Sequence, residues 1–341
     1  YNNRGLAEKE SLPYFLNDVM RTPPTGDTIL YSTYGYDALG RVVSTTNVVG
    51  VTTSTYDNWG VTIIDPNGNK KDFLSDVYGN LVSIVEYNGG AGQTTSYTYD
   101  LLSNLTKVSD ATGNVRNFTY DGLGRRLTAE DLHSPSDATF GALTYSYNDA
   151  GNLIQKTDAN SKVVNYTYDD INRQITENYL GQTGTEVSYT YDTCTNGIGH
   201  VCSIAMLSGA NTDYTYNKAG NIASETKTIG GTAYTTSYTY DRQGNQLTVT
   251  QPDGAQTRNT YNTAGVLEKI ERKESGGVFA DVVSNIDYSP MRQITVQADA
   301  NNVTTTNMYD ATKLYRLTRK LTQNGASTKV QDLSYLYDNI G

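Results

Sequence analysis

Between Leu105 and Asp131 side chains alternate in character with a period of two. Thr106, Val108 and Asp110 fall on one side of the alternation and Lys107 and Ser109 on the other, until Ala111-Thr112-Gly113-Asn114 interrupts it. Val115 to Tyr120 alternates again, and Asp121-Gly122-Leu123-Gly124 turns the chain back. Period two puts neighbouring side chains on opposite faces of a strand. The pattern predicts strand, turn, strand, turn.

The second turn belongs to a phrase that recurs fifteen times: aromatic, acid or amide, two variable residues, glycine, then Arg or Asn before an aliphatic residue. It starts at Tyr1, Tyr36, Tyr56, Ser75, Tyr99, Tyr120, Tyr147, Tyr168, Tyr191, Tyr216, Tyr240, Tyr261, Tyr288, Tyr309 and Tyr337. Starts lie 19 to 28 residues apart after a first interval of 35. Ser103, Asn172, Arg292 and Lys313 stand at the glycine position, and the copy at Tyr191 carries an insert. A period of this length signals a repeat array. Domains are therefore expected as an atypical repeat start and edge or loop segment over 1–30, followed by one continuous array over 31–341, truncated at its C-terminus.

The residues that define the phrase are Tyr36, Asp37, Gly40 and Arg41; Tyr99 and Asp100; Tyr120, Asp121, Gly124 and Arg125; Tyr147 and Gly151; Tyr168 and Asp169; Tyr216 and Gly220; and Tyr240, Asp241 and Gly244. A second turn family, as in Asp65-Pro66-Asn67-Gly68-Asn69 and Asp158-Ala159-Asn160-Ser161-Lys162, alternates with it. In both, a leading Asp or Asn can bond to backbone two residues on, and Gly or Asn tolerates the positive φ that closes a tight turn.

Eight copies place a further tyrosine two residues before the first, as in Tyr166 with Tyr168 and Tyr214 with Tyr216. Residues two apart share a strand face, so one face becomes a tyrosine ladder and the other carries Thr98, Ser146, Thr167, Thr190, Thr215 and Thr239. The fold class is all-β: a long array of antiparallel hairpins in one sheet. Strand twist accumulates across so many strands, so the sheet is expected to coil into a spiral.

Composition agrees with strands. Twenty-nine tyrosines stand against five phenylalanines and one tryptophan, and only 37% of residues are hydrophobic. Tyrosine rings are expected to supply much of the burial. A net charge of -10 argues against nucleic acid, which selects clustered Lys and Arg. No apolar run approaches the roughly 20 residues of a membrane span. The chain opens on Tyr1 and ends on the glycine of a fresh phrase, so it is expected to be a segment of a longer protein.

Candidate chemistry is sparse. Cys194 and Cys202 lie in the insert, with Asn196-Gly197 between them, where a hairpin could join the sulfurs; two free thiols are the alternative. Of the two histidines, His133 lies in the polar stretch Leu132 to Ser136 and reads as a solvated loop residue. His200 alone beside the cysteines is too little for zinc, which takes four ligands. Asp65 and its neighbours offer oxygens to calcium, but turn chemistry accounts for them. The recurring Asp37, Asp100, Asp121, Asp169 and Asp241 suit turns better than acid/base catalysis, which needs one site rather than many. Gly89-Gly90-Ala91-Gly92 reads as a hairpin tip. No catalytic residue, metal or cofactor is assigned, and Ala7 to Ile29, with Pro13, Pro23 and Pro24, reads as a long loop or edge cover.

Tyr-Asp-x-x-Gly-Arg, repeated in phase over nearly the whole chain, resembles the YD repeats of the RHS family, found in bacterial polymorphic toxins, the B and C components of insecticidal toxin complexes and animal teneurins. The resemblance implies a sheet wound into a hollow, shell-like spiral that encloses a toxic polypeptide. It further implies a secreted or cell-surface bacterial protein, with the remainder of its own RHS polypeptide and the toxin cargo as partners, along with other toxin-complex or secretion components. The family's self-cleaving core and variable tail are not matched, so cargo, cleavage and toxicity fall on no residue here. The alternative is a cell-surface adhesion or carbohydrate-binding module that uses the tyrosine ladders.

Overall fold

The computed structural model describes residues 1–12, 29–181 and 183–339. Among these, 28 strands form one antiparallel sheet, and the single helical element is a 3-10 turn at Ala311–Lys313. The expected loop over Ala7 to Ile29 falls mostly on residues 13–28, which lie outside the described residues; Lys9–Ser11 pairs as a short strand with Tyr31 to Thr33.

The chain divides into two compact units, Thr98–Asp281 and Tyr1–Tyr97 with Val282–Gly341. In the first, strands pair with their sequence neighbours: Val115–Tyr120 with Arg126–Glu130, Ala142–Tyr147 with Leu153–Thr157, Val163–Tyr168 with Gln174–Tyr179, and so on. The second unit repeats this order from Tyr31–Tyr36 through Leu81–Asn88 and from Ile294–Asp299 through Lys329–Ser334. Within it, Asn339 reaches back, its amide donating to Asn67 Oδ1 at 3.1 Å.

A single sheet has no second layer to bury its faces. The buried apolar set is accordingly short: Val115, Phe118, Ala129, Cys202, Tyr216, Ala255, Val283 and Ile286. Most ladder tyrosines are half-buried by their neighbours, while Thr167, Thr190 and Thr239 on the other face are exposed. Those hydroxyls pair across strands, Thr167 with Thr176 at 2.5 Å and Thr239 with Thr248 at 2.6 Å. Cross-strand pairs of this kind each add a fraction of a kcal/mol to a sheet.

Two copies of the phrase depart from the expected turn. At Tyr56 the strands close through only Asn58 and Trp59, and Gly60 pairs with Asp57 inside the ladder. At Tyr309 the left-handed turn does not fall on Lys313. Asp310 caps the 3-10 turn, and two extra residues carry the positive φ to Leu314 and Tyr315.

In the other described copies without an insert the glycine position is left-handed, with φ +83° at Gly40, +76° at Gly124 and +87° at Gly151 and Gly244, and φ of 64° at Ser103 and Asn172. A Cβ on Gly40 would meet only Leu6 Cδ1, at 3.6 Å, so backbone strain alone decides the outcome there. Gly40→Val is expected to cost about 1–3 kcal/mol by urea unfolding. Gly40→Asn, a residue that tolerates this region, is expected to cost much less.

Candidate functional site

The repeated phrase is a small machine for joining one hairpin to the next. Its first part is a carboxylate cage. Asp121 Oδ1 accepts the Leu123 and Arg125 amides at 2.9 Å, and Oδ2 accepts Arg125 Nε at 2.6 Å. Asp37 and Asp169 do the same with Arg41 and Arg173. At Asp100 and Asp241 an asparagine amide, from Asn104 or Asn245, replaces the guanidinium. One carboxylate thus spans a complete turn, which explains why Arg or Asn follows the glycine.

These bonds stabilise the ionised form. The backbone amide of Arg125, followed by its side chain, holds the Asp121 carboxyl below its ordinary range, and the Asn104 side chain does the same for Asp100. Asp72, bonded by Thr62, Tyr87 and Lys70, is lowered to about 2. A carboxylate depressed on folding contributes its full stability above its unfolded pKa, near 4, and loses it as pH falls through the folded value. Sheet content followed by circular dichroism is therefore expected to hold from neutrality to about pH 4 and to fall between about pH 4 and 2. A transition complete above pH 5 would contradict the cage model.

The second part is a tyrosine bolt. Tyr120, Tyr168 and Tyr216 donate their hydroxyls to the carbonyls of Leu105 at 2.9 Å, Leu153 at 2.7 Å and Val201 at 2.6 Å. Leu153 and Val201 are the partners of Tyr147 and Tyr191, where the ladder slips by one residue in a β-bulge. A bulge interrupts regular bonding. The Tyr168 and Tyr216 hydroxyls therefore bind the irregular point of the preceding hairpin. Tyr36 and Tyr147 bond likewise to the carbonyls of Ala7 and Arg126. Burial raises the hydroxyl pKa of Tyr147, Tyr168, Tyr216 and Tyr240. Tyr99 ends its strand next to the Asp100 cage.

The third part is the phrase arginine, whose role no sequence pattern exposes. Arg125 donates to the carbonyl of Asn148 at 2.9 Å with its guanidinium 5.0 Å from the Tyr147 ring. Arg173 forks onto the Asp192 carboxylate at 3.0 and 2.7 Å and lies 4.3 Å from the Tyr191 ring. Arg4 reaches the carbonyls of Asp37 and Ala38, and Arg41 stacks on Tyr56 at 4.2 Å. Arg41, Arg125 and Arg173 each complete their own turn and reach the next phrase, whereas Arg4, which stands before its phrase glycine, makes only the outward contact. The outward partner lies about one repeat ahead, beyond the reach of any local pattern.

The insert is organised differently. Cys194 and Cys202 form a disulfide with Cα atoms 5.4 Å apart. His200 stacks on Tyr216 at 4.3 Å, and Asn196 Nδ2 donates to the Tyr216 carbonyl at 2.8 Å. Gly220 keeps the left-handed turn beneath this ring pair, with φ +83°.

His133 is not a solvated loop residue. It is buried, bridges Val115 through two backbone bonds of 2.7 and 3.0 Å, and stacks on Phe140 at 3.8 Å. The ladder resumes at His133 inside the polar stretch, which pulls the ring under Phe140. Its Nδ1 donates to the Asp131 carbonyl at 2.8 Å. The Asp65 oxygens that calcium would use accept the Asn67 and Asn69 amides and Asn69 Nδ2. Among the described residues, no group of three or more His, Cys, Asp or Glu side chains is placed to hold a metal ion, and no helix is long and apolar enough to cross a membrane. Ladder tyrosines with bonded hydroxyls and rings under guanidinium groups give the carbohydrate-binding alternative no support.

A single-layer sheet of hairpins, caged, bolted and gripped phrase by phrase, defines a structural β-repeat protein. The Teneurin YD-shell family model matches residues 58–203, and the RHS Repeat model matches residues 216–256. The chain thus carries YD-shell and RHS repeats over 58–203 and 216–256. Among solved structures, the TcdB2-TccC3 complex aligns with a TM-score of 0.87 at 18% identity, covering 100% of this chain and 19% of that one. The Photorhabdus luminescens Tc holotoxin pore aligns at 0.84 and 18% identity, with coverage of 100% and 19%. TcdB2-TccC3-Cdc42 aligns at 0.81 and 18% identity, with coverage of 92% and 18%. At this identity the likeness shows the fold, that of the Tc toxin shell, and the chain spans less than a fifth of those proteins' length. No curated protein matches the chain.

Proposed function

We propose that the chain is a non-enzymatic wall segment of an RHS-type shell, part of a secreted bacterial protein, and that the shell encloses and protects a toxin polypeptide before delivery. The repeat residues Tyr36, Asp37, Arg41, Tyr120, Asp121, Arg125, Tyr168, Asp169 and Tyr216 are its fasteners. One observation carries the reading: the polar groups that recur along the chain are spent on joining hairpins, phrase after phrase, in the fold of a toxin-complex shell. Enzymes concentrate such groups at one place. The partners in this reading are the rest of the RHS polypeptide, its cargo and other toxin-complex components.

The test is limited proteolysis and electron microscopy of the complete polypeptide that carries this chain. The expected result is a hollow particle whose enclosed polypeptide resists trypsin while the wall is intact. A solid rod, or an inner polypeptide cut as fast as a free one, would overturn the proposal.

A further inference from the structure

The joint between the phrases at Tyr191 and Tyr216 is fastened unlike the arginine joints. At those, a guanidinium crosses from one turn to the next, as Arg125 does to Asn148 and Arg173 does to Asp192. The copy at Tyr191 has no such arginine, because the insert 193–200 occupies its place. The insert supplies the crossing contacts itself. The Tyr216 amide donates to the Thr195 carbonyl at 3.0 Å, Asn196 Nδ2 donates to the Tyr216 carbonyl at 2.8 Å, and His200 covers the Tyr216 ring. Thr195, Asn196 and His200 all lie between Cys194 and Cys202. The contacts that hold this joint therefore sit inside a loop closed by one covalent bond.

The two sulfurs are not equivalent. Cys202 is 4% exposed, whereas Cys194 is only half-buried. The Cys194 amide points at Cys202 Sγ, at 3.0 Å. An N–H donor stabilises a thiolate, and a stabilised thiolate leaves more readily in exchange. Access thus favours attack on Cys194, and the hydrogen bond favours departure of Cys202.

We propose that Cys194–Cys202 is a thiol–disulfide exchange site for a dithiol reductant, and that its reduction unfastens this one joint of the wall. A dithiol thiolate attacks Cys194 Sγ, the S–S bond breaks, and Cys202 leaves as a thiolate that accepts the Cys194 amide. The second thiolate of the reductant attacks the mixed disulfide and releases Cys194. The reductant supplies the two electrons, becomes a cyclic disulfide, and its two protons end on the two cysteine thiols. Without the cross-link, Thr195 and Asn196 are held against Tyr216 only by their own hydrogen bonds, each of modest net worth. The arginine joints contain no sulfur and do not respond. A chain passing from an oxidising to a reducing compartment loses this joint and keeps those.

Hydrogen exchange of the full chain, with and without dithiothreitol, tests the proposal. The Tyr216 amide and the amides of 195–201 are expected to exchange about tenfold faster or more on reduction, with 163–168 and 246–250 unchanged and protection restored by reoxidation. The Cys194→Ala/Cys202→Ala double variant is expected to show the fast pattern without reductant and no response to it. Brief treatment with glutathione followed by acid trapping is expected to place the adduct on Cys194. The proposal is overturned if both thiols alkylate while Tyr216 exchange stays put, if exchange accelerates throughout Thr98–Asp281, if the disulfide resists dithiothreitol in the folded chain, or if the adduct lies on Cys202.

Discussion

Tyr216→Ala is expected to lower the unfolding free energy by about 3–5 kcal/mol, the range of a large aromatic deleted from a packed site. Tyr216 is 8% exposed and is the most enclosed of the phrase tyrosines. Its ring lies against His200, its hydroxyl bonds the Val201 carbonyl, and its backbone is held by Thr195 and Asn196. Deletion removes the ring contacts and leaves the Val201 carbonyl, at a bulge, without its hydroxyl donor. Tyr216→Phe separates the two effects, because it keeps the ring and removes only the bolt. It is expected to cost about 1–2 kcal/mol, the value of a hydrogen bond whose acceptor stays enclosed. Tyr179, at 43% exposure, is the control, and Tyr179→Ala is expected to change stability little. Urea unfolding of the three variants decides the matter. A Phe variant as stable as the parent would remove the bolt from the account and leave tyrosine as mere packing.

The second large effect is at Gly197. A Cβ there would clash with Cys194 Sγ and lie 2.6 Å from Cys202 Sγ and 2.9 Å from the Cys194 carbonyl. None of these atoms is the free end of a flexible side chain. Gly197→Val is therefore expected to prevent disulfide closure, with two thiols titrating in the folded protein. The loop between the cysteines spans a separation of eight residues, and losing its cross-link costs about 2–3 kcal/mol in the chain-entropy model. Retention of the disulfide at full stability in this variant would show that the loop can wrap the sulfurs in another way. The contrast with Gly40 is instructive. At Gly40 the backbone demands positive φ and there is room for a side chain; at Gly197 the demand is for space.

How far the sequence could be read follows the range of each interaction. The aspartate cage was legible because its donors lie two and four residues on, so Asp-x-x-Gly-Arg contains the whole device. The alternation of Tyr166 and Tyr168 with Thr167 was legible because the period of a strand is local. The cysteine pair was legible in outline from its spacing and the Asn-Gly between. Arg125 and Arg173 were not, since the groups they grip lie 23 and 19 residues ahead. Nor was the burial of His133, which depends on Val115 pairing with it across a hairpin and on Phe140 folding over it. At Tyr309 a two-residue insertion moved the left-handed position from Lys313 to Leu314, a shift that residue identity alone does not reveal, because Leu disfavours that region.

The repeated phrase by itself determined that this protein is an all-β array, where most of its turns fall and which side chains share a face. Each of these is settled within a few residues of backbone by sterics and short hydrogen-bonded rings. The tertiary structure alone decided how one hairpin holds the next: the bulge that offers a carbonyl to the following tyrosine, the guanidinium that crosses to the following turn, and the disulfide loop that replaces it before Tyr216. Those contacts join groups about a repeat apart, and they exist only once strand pairing has fixed the register that brings them within hydrogen-bonding distance.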